Sequence, residues 1–292
     1  MSPEICDYEN SPWRTEFWRG RDYEDRAERI ALSNMLPMRG ARLCEIGAGF
    51  GRLADFYKGY ERVILIDYAV SMLREAREKI GDDPRFAFAA ADVYNLPLAA
   101  NSLDTAVTVR VLHHLTDVPR AFAEIARAVR PQGTYLTEFA NKRNLKSLLR
   151  YALMRRPPNP FAREPYEFVK LNFDFHPRYI DDNLRAVDFA LQDRRAVSIF
   201  RIAALKHIVP AQILATLDGF LQSPTAGLQV SPSIFIRAQS QKAGLPRLNT
   251  ALWRCPACGS VDITENASAL DCRKCQREYS IVDGIIDFKS QL

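Results

Sequence analysis

The sequence predicts an α/β fold: a doubly wound, mostly parallel sheet, with a helical cap before it and a small metal-bound ribbon after it. Three observations support this. From Ala41 to about Ala140, short apolar runs alternate with helix-like stretches. A glycine-rich turn follows the first of these runs, and four of the six cysteines fall in two C-x-x-C pairs near the chain's end.

The strand candidates are ARLCEIG (41–47), RVILID (62–67), RFAFAA (85–90), LDTAVTVR (103–110) and GTYLTEFA (133–140). They are rich in Val, Ile, Leu and aromatics, as parallel strands covered on both faces tend to be. Helical patterns at 69–80 and 117–130 separate them; in the second, Val118, Phe122, Ile125 and Val129 recur at helical spacing. Strand alternating with helix implies a parallel sheet sandwiched between helices. Residues 1–39 read as a helical cap carrying Trp13, Phe17, Trp18 and Tyr23. After the fifth strand come a helix at 142–156, a Pro-rich break, a helix at about 177–189, a strand at 194–200, a helical insert at 203–221 and a last strand, PSIFIRA (232–238). The main domain thus spans 40–240, a polar Gly/Pro linker 241–250, and the ribbon 251–292.

At 292 residues, 47% hydrophobic and 26% charged, the chain can bury a sizeable core. No apolar run approaches the roughly 20 residues of a membrane span. The N-terminus as written has neither a basic leader nor an apolar stretch, so a cytoplasmic protein is expected. A net charge of +5 is mild and by itself implies no nucleic-acid partner.

The turn reads Glu45-Ile46-Gly47-Ala48-Gly49-Phe50-Gly51 and is expected to lead into a helix. Glycines there let the backbone turn tightly and approach a ligand. Asp67 ends the second strand candidate, where an acid in Rossmann-like folds meets ribose hydroxyls, and Asp92 follows the third. A nicotinamide-binding loop usually shows G-x-G-x-x-G, whereas here the third glycine comes one residue early.

With these motifs in this order, residues 40–240 resemble the class I S-adenosylmethionine-dependent methyltransferases. LCEIGAGFGRL resembles the family's first motif and VILIDYAVSML its second; AADVYNLPLAANSLDTAVTVRVLHHL resembles the third and fourth, and VRPQGTYLTEF the entry to the fifth strand. The wording is most similar to the small-molecule branch that includes the quinone-biosynthesis methyltransferases. The resemblance implies that Gly47, Gly49 and Gly51 pass beneath S-adenosyl-L-methionine, with Glu45 at the base of the loop. It implies Asp67 on the ribose, Tyr68 on the adenine, Asp92 and Val93 on the adenine edge, and Arg110 and Val111 at the methionine end.

Methyl transfer from a sulfonium is an in-line displacement that positioning alone can accelerate, and a base helps only where the acceptor loses a proton. His113, His114, His176 and Glu138 are the catalytic candidates; each has a structural alternative as a cap or ion-pair partner. Aromatics at Trp13, Phe17 and Trp18 and at Phe161, Tyr166, Phe168, Phe173 and Phe175 read as core or as lids over a hydrophobic acceptor. The 142–156 segment carries Lys142, Arg143, Lys146, Arg150, Arg155 and Arg156 without an acid. It reads as a solvated basic face, or as a patch for anionic lipid or a phosphate-bearing acceptor.

Cys255, Cys258, Cys272 and Cys275 match a closed four-thiolate zinc site, structural rather than catalytic. The ribbon resembles those found beside methyltransferases, including the small activator subunit of tRNA and protein methyltransferases. With five basic and six acidic residues, 251–292 lacks the charge to track phosphates and suits a protein partner or a stabilising role. The expected activity is methyl transfer to a small-molecule or lipid-like acceptor, with peripheral membrane contact allowed. The alternatives are an RNA methyltransferase guided by the ribbon and a non-catalytic cofactor-binding scaffold.

Overall fold

The computed structural model describes residues 3–11, 17–153 and 159–289. Trp13, Arg155 and Arg156 lie outside the described residues. The main body opens with α1 (Asp22–Met35), then β1 (Gly40–Ile46), β2 (Tyr60–Asp67), α2 (Val70–Ile80), β3 (Phe86–Ala90), β4 (Leu103–Thr108), α3 (Val118–Ala128) and β5 (Val129–Ala140). It continues through α4 (Leu145–Ala152), a hairpin of β6 (Tyr166–Val169) and β7 (Asn172–Asp174), α5 (Pro177–Ala186), β8 (Phe189–Val197), α6 (Ala203–Ile208), α7 (Ala211–Leu221) and β9 (Ser233–Ser240). The ribbon supplies β10 (Ile263–Glu265), β11 (Ala269–Cys272), β12 (Glu278–Val282) and β13 (Ile285–Asp287).

The central strands run β3-β2-β1-β4-β5-β9-β8, parallel through β5 and antiparallel at β9 and β8. Alternation along each strand builds two cores, one on each face of the sheet. Cys44, Ile46, Ile64 and Ile66 meet Phe122 and Ile125 of α3. Leu43, Val63 and Leu65 meet Leu32 of α1 and Leu73 and Ala76 of α2. The strand order reverses between β1 and β4, the switch point at which open α/β sheets bind ligands beyond their carboxyl ends.

Several elements differ from those the sequence predicts. No α-helix follows the glycine turn: residues Ala54–Phe56 make one 3₁₀ turn, because the chain must re-enter the sheet at Tyr60. Pro210 splits the helical insert into α6 and α7, and the strand expected at 194–200 begins earlier, at Phe189. Part of the aromatic segment after α4 forms the β6–β7 hairpin.

The ribbon's last strand does not stand apart from the sheet. β13 pairs parallel with β3, Ile285 opposite Phe88 and Asp287 opposite Ala90, and so covers an edge that would otherwise be bare. Trp253, Tyr279 and Phe288 join the same core as Phe122. Among the described residues no helix is long and apolar enough to cross a membrane.

Candidate active site

At the β1/β4 switch point lies a cavity of about 110 Å³, lined by Gly47, Gly49, Asp67, Tyr68, Val93, Arg110 and Val111 among others. Gly47 sits at φ +75°, and a Cβ there would meet Val111 Cγ2 at 2.3 Å. The constraint is therefore both conformational and steric. Gly49 is also left-handed at φ +53°, but a Cβ there would meet no atom within 4 Å; the space beside it is left open. The half-buried Asp67 carboxylate accepts from Gly49 N (2.7 Å) through Oδ2 and from Ala69 N (2.9 Å) through Oδ1. Burial pushes its carboxyl up, against those two N–H donors. Each oxygen keeps a further acceptor position, which suits a vicinal diol.

Asp92 and Glu45 play supporting parts. The Asp92 side chain caps the turn after β3 by accepting from Tyr94 N at 2.7 Å, and it does not line the cavity. Glu45 is buried, its Oε2 has no hydrogen-bond partner, and burial raises its carboxyl to about 7. Gly51, at φ +67°, packs against Ala76 rather than facing the cavity.

An N-terminal strap, unmarked by any sequence motif, closes the cavity with Ile5, Cys6 and Tyr8. Glu9 anchors it by accepting from Val70 N (2.7 Å) and Ser71 N (3.1 Å) at the start of α2.

A second cavity, of about 1010 Å³, opens on the other side of Arg110, the one described residue that lines both. Arg110 is itself left-handed at φ +63°, a strained conformation for a side chain of this size. Its guanidinium pairs with buried Glu28, and its backbone N–H donates to Glu138 Oε2 at 3.0 Å. Glu138 also accepts from Ser233 Oγ at 2.6 Å. His113, Asn141, Lys146, Asp174 and Arg201 line the larger cavity with it.

The model of a methyltransferase domain family matches residues 44–137. The chain carries a class I S-adenosylmethionine-dependent methyltransferase domain. Among curated relatives, the malonyl-[acyl-carrier protein] O-methyltransferase of Geobacter sulfurreducens is 35% identical over 32% of this chain and 37% of its own length. The demethylmenaquinone methyltransferase of Roseiflexus sp. is 33% identical over 39% of this chain and 48% of its own. This chain spans between 26% and 48% of the length of these and the other leading curated relatives. Among solved structures, a chain from the complex between the Haloferax volcanii Trm112 methyltransferase activator and a methyltransferase aligns with TM-score 0.54 at 17% identity, covering 79% of this chain and 96% of that one. An S-adenosylmethionine dependent methyltransferase from Mesorhizobium loti aligns with TM-score 0.52 at 20% identity, covering 73% and 97%. At these identities the structural likeness concerns the fold.

Within this domain the catalytic candidates separate. His176 lies away from both cavities and caps α5, its Nδ1 accepting from Arg178 N at 3.1 Å, so its role is helix entry. His114 borders the smaller cavity with both ring nitrogens engaged. Leu171 O can only accept, so Nδ1 donates to it (3.0 Å) and Nε2 accepts from Tyr8 OH (3.0 Å). Glu138 is held between Arg110 N and Ser233 and fixes the strained junction. His113 faces the larger cavity, and burial, then His114, Arg110, Arg201 and Arg21, push its imidazole well below the usual value. Asp174, which no motif marks, faces that cavity too; burial raises its carboxyl to about 6 despite Arg201 and Lys142.

The basic segment also departs from expectation. Lys142 is buried, with its ammonium on the Glu164 carbonyl, and so cannot meet a headgroup. Lys146 and Arg150 line the larger cavity from α4, a helix with no buried residue and therefore no packed face on the sheet.

In the ribbon, Cys255, Cys258, Cys272 and Cys275 bring four sulfurs within 4.8 Å of one another. The Cys255–Cys275 and Cys258–Cys272 separations are 3.6 and 3.5 Å. These are far longer than a disulfide of about 2.05 Å. They approach the roughly 3.8 Å edge of a tetrahedron with metal–sulfur arms of about 2.3 Å. The ribbon grips the loop after β3: Asn95 Nδ2 donates to Pro256 O (2.8 Å), and Arg254 donates to Leu96 O (3.1 Å) and Glu124 (2.8 Å). Lys289 Nζ stands 4.3 Å from the centre of the Tyr68 ring.

Proposed function

We propose that this protein transfers the methyl group of S-adenosylmethionine to a small-molecule or lipid-like acceptor, as a cytoplasmic enzyme of the quinone-biosynthesis-like branch, with a structural zinc ion in its ribbon. The observation that carries this reading is the pair of cavities that meet at Arg110. When bound, S-adenosylmethionine supplies an electrophilic methyl on a sulfonium.

The chain's own residues do the rest. Gly47 and Gly49 let the backbone approach the cofactor closely. Asp67 accepts from the ribose hydroxyls, Tyr68 and Val93 flank the adenine, and Asp92 holds the turn that presents Val93. Glu138, by holding Arg110 N, keeps the wall between the two ligands in place. An acceptor hydroxyl or amine must lose a proton, and Asp174 is the candidate base in the larger cavity: burial raises its carboxyl to about 6, whereas burial pushes the His113 imidazole down. The four cysteines suit zinc in donor type and spacing. The ribbon, braced on β3, supports the adenine side and leaves its outer face for a protein partner.

Calorimetric titration tests the assignment. S-adenosylmethionine and S-adenosylhomocysteine should bind at micromolar levels. Asp67→Ala should weaken both by roughly tenfold to a hundredfold, the cost of about 1.5–3 kcal/mol of lost hydrogen bonding. Absence of heat for both ligands would overturn it.

A further inference from the structure

The larger cavity has more positive charge than its own acids can balance. Among the described residues five cations line it: Arg21, Arg110, Lys146, Arg150 and Arg201. Arg110 is neutralised by Glu28. Arg201 lies only 3.7 Å from Glu24, whose carboxylate is already held by Lys206 at 2.7 Å. Arg21 stacks on the Phe17 ring at 4.0 Å and, like Lys146 and Arg150, has no ion-pair partner among the described residues. Among the described residues only two acids line it, Glu138 and Asp174, so the cations outnumber the acids. Cations gathered in one recess repel each other unless an anion joins them.

The same cavity has an apolar flank facing solvent. Leu145, Leu149, Leu153, Phe168, Ile202 and Leu228 all line it, and each is at least half exposed. α4 turns Leu145 and Leu149 toward this opening and buries none of its residues. Leaving that much contiguous apolar surface in water is unfavourable, at about 25 cal/mol per Å², unless something covers it.

We infer that the acceptor is an anionic amphiphile: a carboxylate or phosphate head held by Arg21 and Arg201, with its hydrocarbon chain along Leu145, Leu149 and Phe168. This inference rests on the methyltransferase reading and names the chemistry of its second substrate. Guanidinium groups favour both heads because their donors match two oxygens at once. The chain replaces water over the leucines of α4, so head and tail are recognised by different parts of one cavity.

Calorimetry on the full-length protein saturated with S-adenosylhomocysteine tests it, using decanoate, decyl phosphate, decanol, acetate and inorganic phosphate as probes. At least one of the two charged decyl compounds should bind roughly tenfold or more tighter than decanol and than its own head group alone. Preference for decanoate assigns a carboxylate acceptor, and preference for decyl phosphate a phosphate ester. Arg21→Gln with Arg201→Gln should remove that advantage while leaving S-adenosylhomocysteine affinity unchanged. Equal binding of decanol and both anions overturns the head assignment; equal binding within both pairs, inorganic phosphate with decyl phosphate and acetate with decanoate, overturns the tail. Association with anionic vesicles but with none of the monomeric probes would assign the apolar flank to a membrane surface and overturn the inference. Failure of S-adenosylhomocysteine itself to bind would instead strike the methyltransferase reading.

Discussion

Around the smaller cavity, a glycine turn, the acid that ends β2 and the N-terminal strap form much of the wall, and the elements behind them are anchored twice. β3 is paired on one side by β2 and on the other by the ribbon's β13, and Glu9 pins the strap to α2. Around the larger cavity the groups are long side chains from α4, the β6–β7 hairpin and the segments flanking α1 and α6, many of them half in water. The contrast follows from the ligands. A cofactor of fixed structure is met by fixed backbone geometry, whereas an acceptor that differs from one enzyme to another is met by exchangeable side chains on surface segments. If so, perturbing the braced side should change stability and cofactor affinity together, and perturbing the open side should change local chemistry while the fold stands.

The largest effect is expected from the zinc ion proposed for the ribbon. A segment of this size has little core without its ion, and structural zinc contributes on the order of 10 kcal/mol to folding such units. Elemental analysis should give one zinc per chain, and Cys258→Ser with Cys272→Ser should abolish it. The melting temperature should drop, and S-adenosylhomocysteine should bind roughly tenfold more weakly, because Asn95 loses Pro256 and Tyr68 loses Lys289. Metal-free protein with undiminished affinity would break the claim that the ribbon braces the adenine side.

A middle-sized effect belongs to Glu45. Its carboxyl lies at about 7 in the folded protein and near 4.5 when unfolded. A raised carboxyl binds its proton more tightly in the folded state, so its contribution is most favourable below about 4.5 and is lost as pH rises toward 7. Over that interval it amounts to about 3 kcal/mol. In cofactor-free protein, Glu45→Gln should therefore gain stability relative to the wild type as pH rises from 4.5 to 7, with no further gain above. A constant difference between the two denaturation curves across that range would remove Glu45 from the account.

The same division governs what was legible in the sequence. Gly47, Gly49, Asp67 and Tyr68 occupy the cavity the motifs implied, because tight turns and strand ends impose fixed spacings that survive as a written pattern. Asp92 stands at the expected place yet serves as a turn cap, since spacing locates a carboxylate without saying which way it points. The cysteine spacing announced the ribbon but not its docking, because β13 is too short to declare a partner. Arg21, Asp174 and Arg201 come from three distant segments that meet only in three dimensions. The segment around Asp174, NFDFHPRY, offers His176 as readily as the acid, and that histidine caps a helix.

The smallest effect sits on the open side and concerns Asp174. Burial holds its carboxyl at about 6, while Arg201 and Lys142 pull it downward. Lys142 is fixed by the Glu164 carbonyl and does not move with the acceptor side. Arg201 is exposed and belongs to the set of cations that faces the cavity. Carbon-detected magnetic resonance of the side-chain carboxyl should give a midpoint near 6, and Arg201→Gln should raise it, since a neutral side chain no longer favours the charged form. Gain of an acceptor anion beside Arg201 should act in the same direction, so decanoate or decyl phosphate, whichever binds, should also raise the midpoint. A carboxyl that titrates near 4 would leave the larger cavity without its base, and one indifferent to Arg201→Gln would separate Asp174 from the arginines.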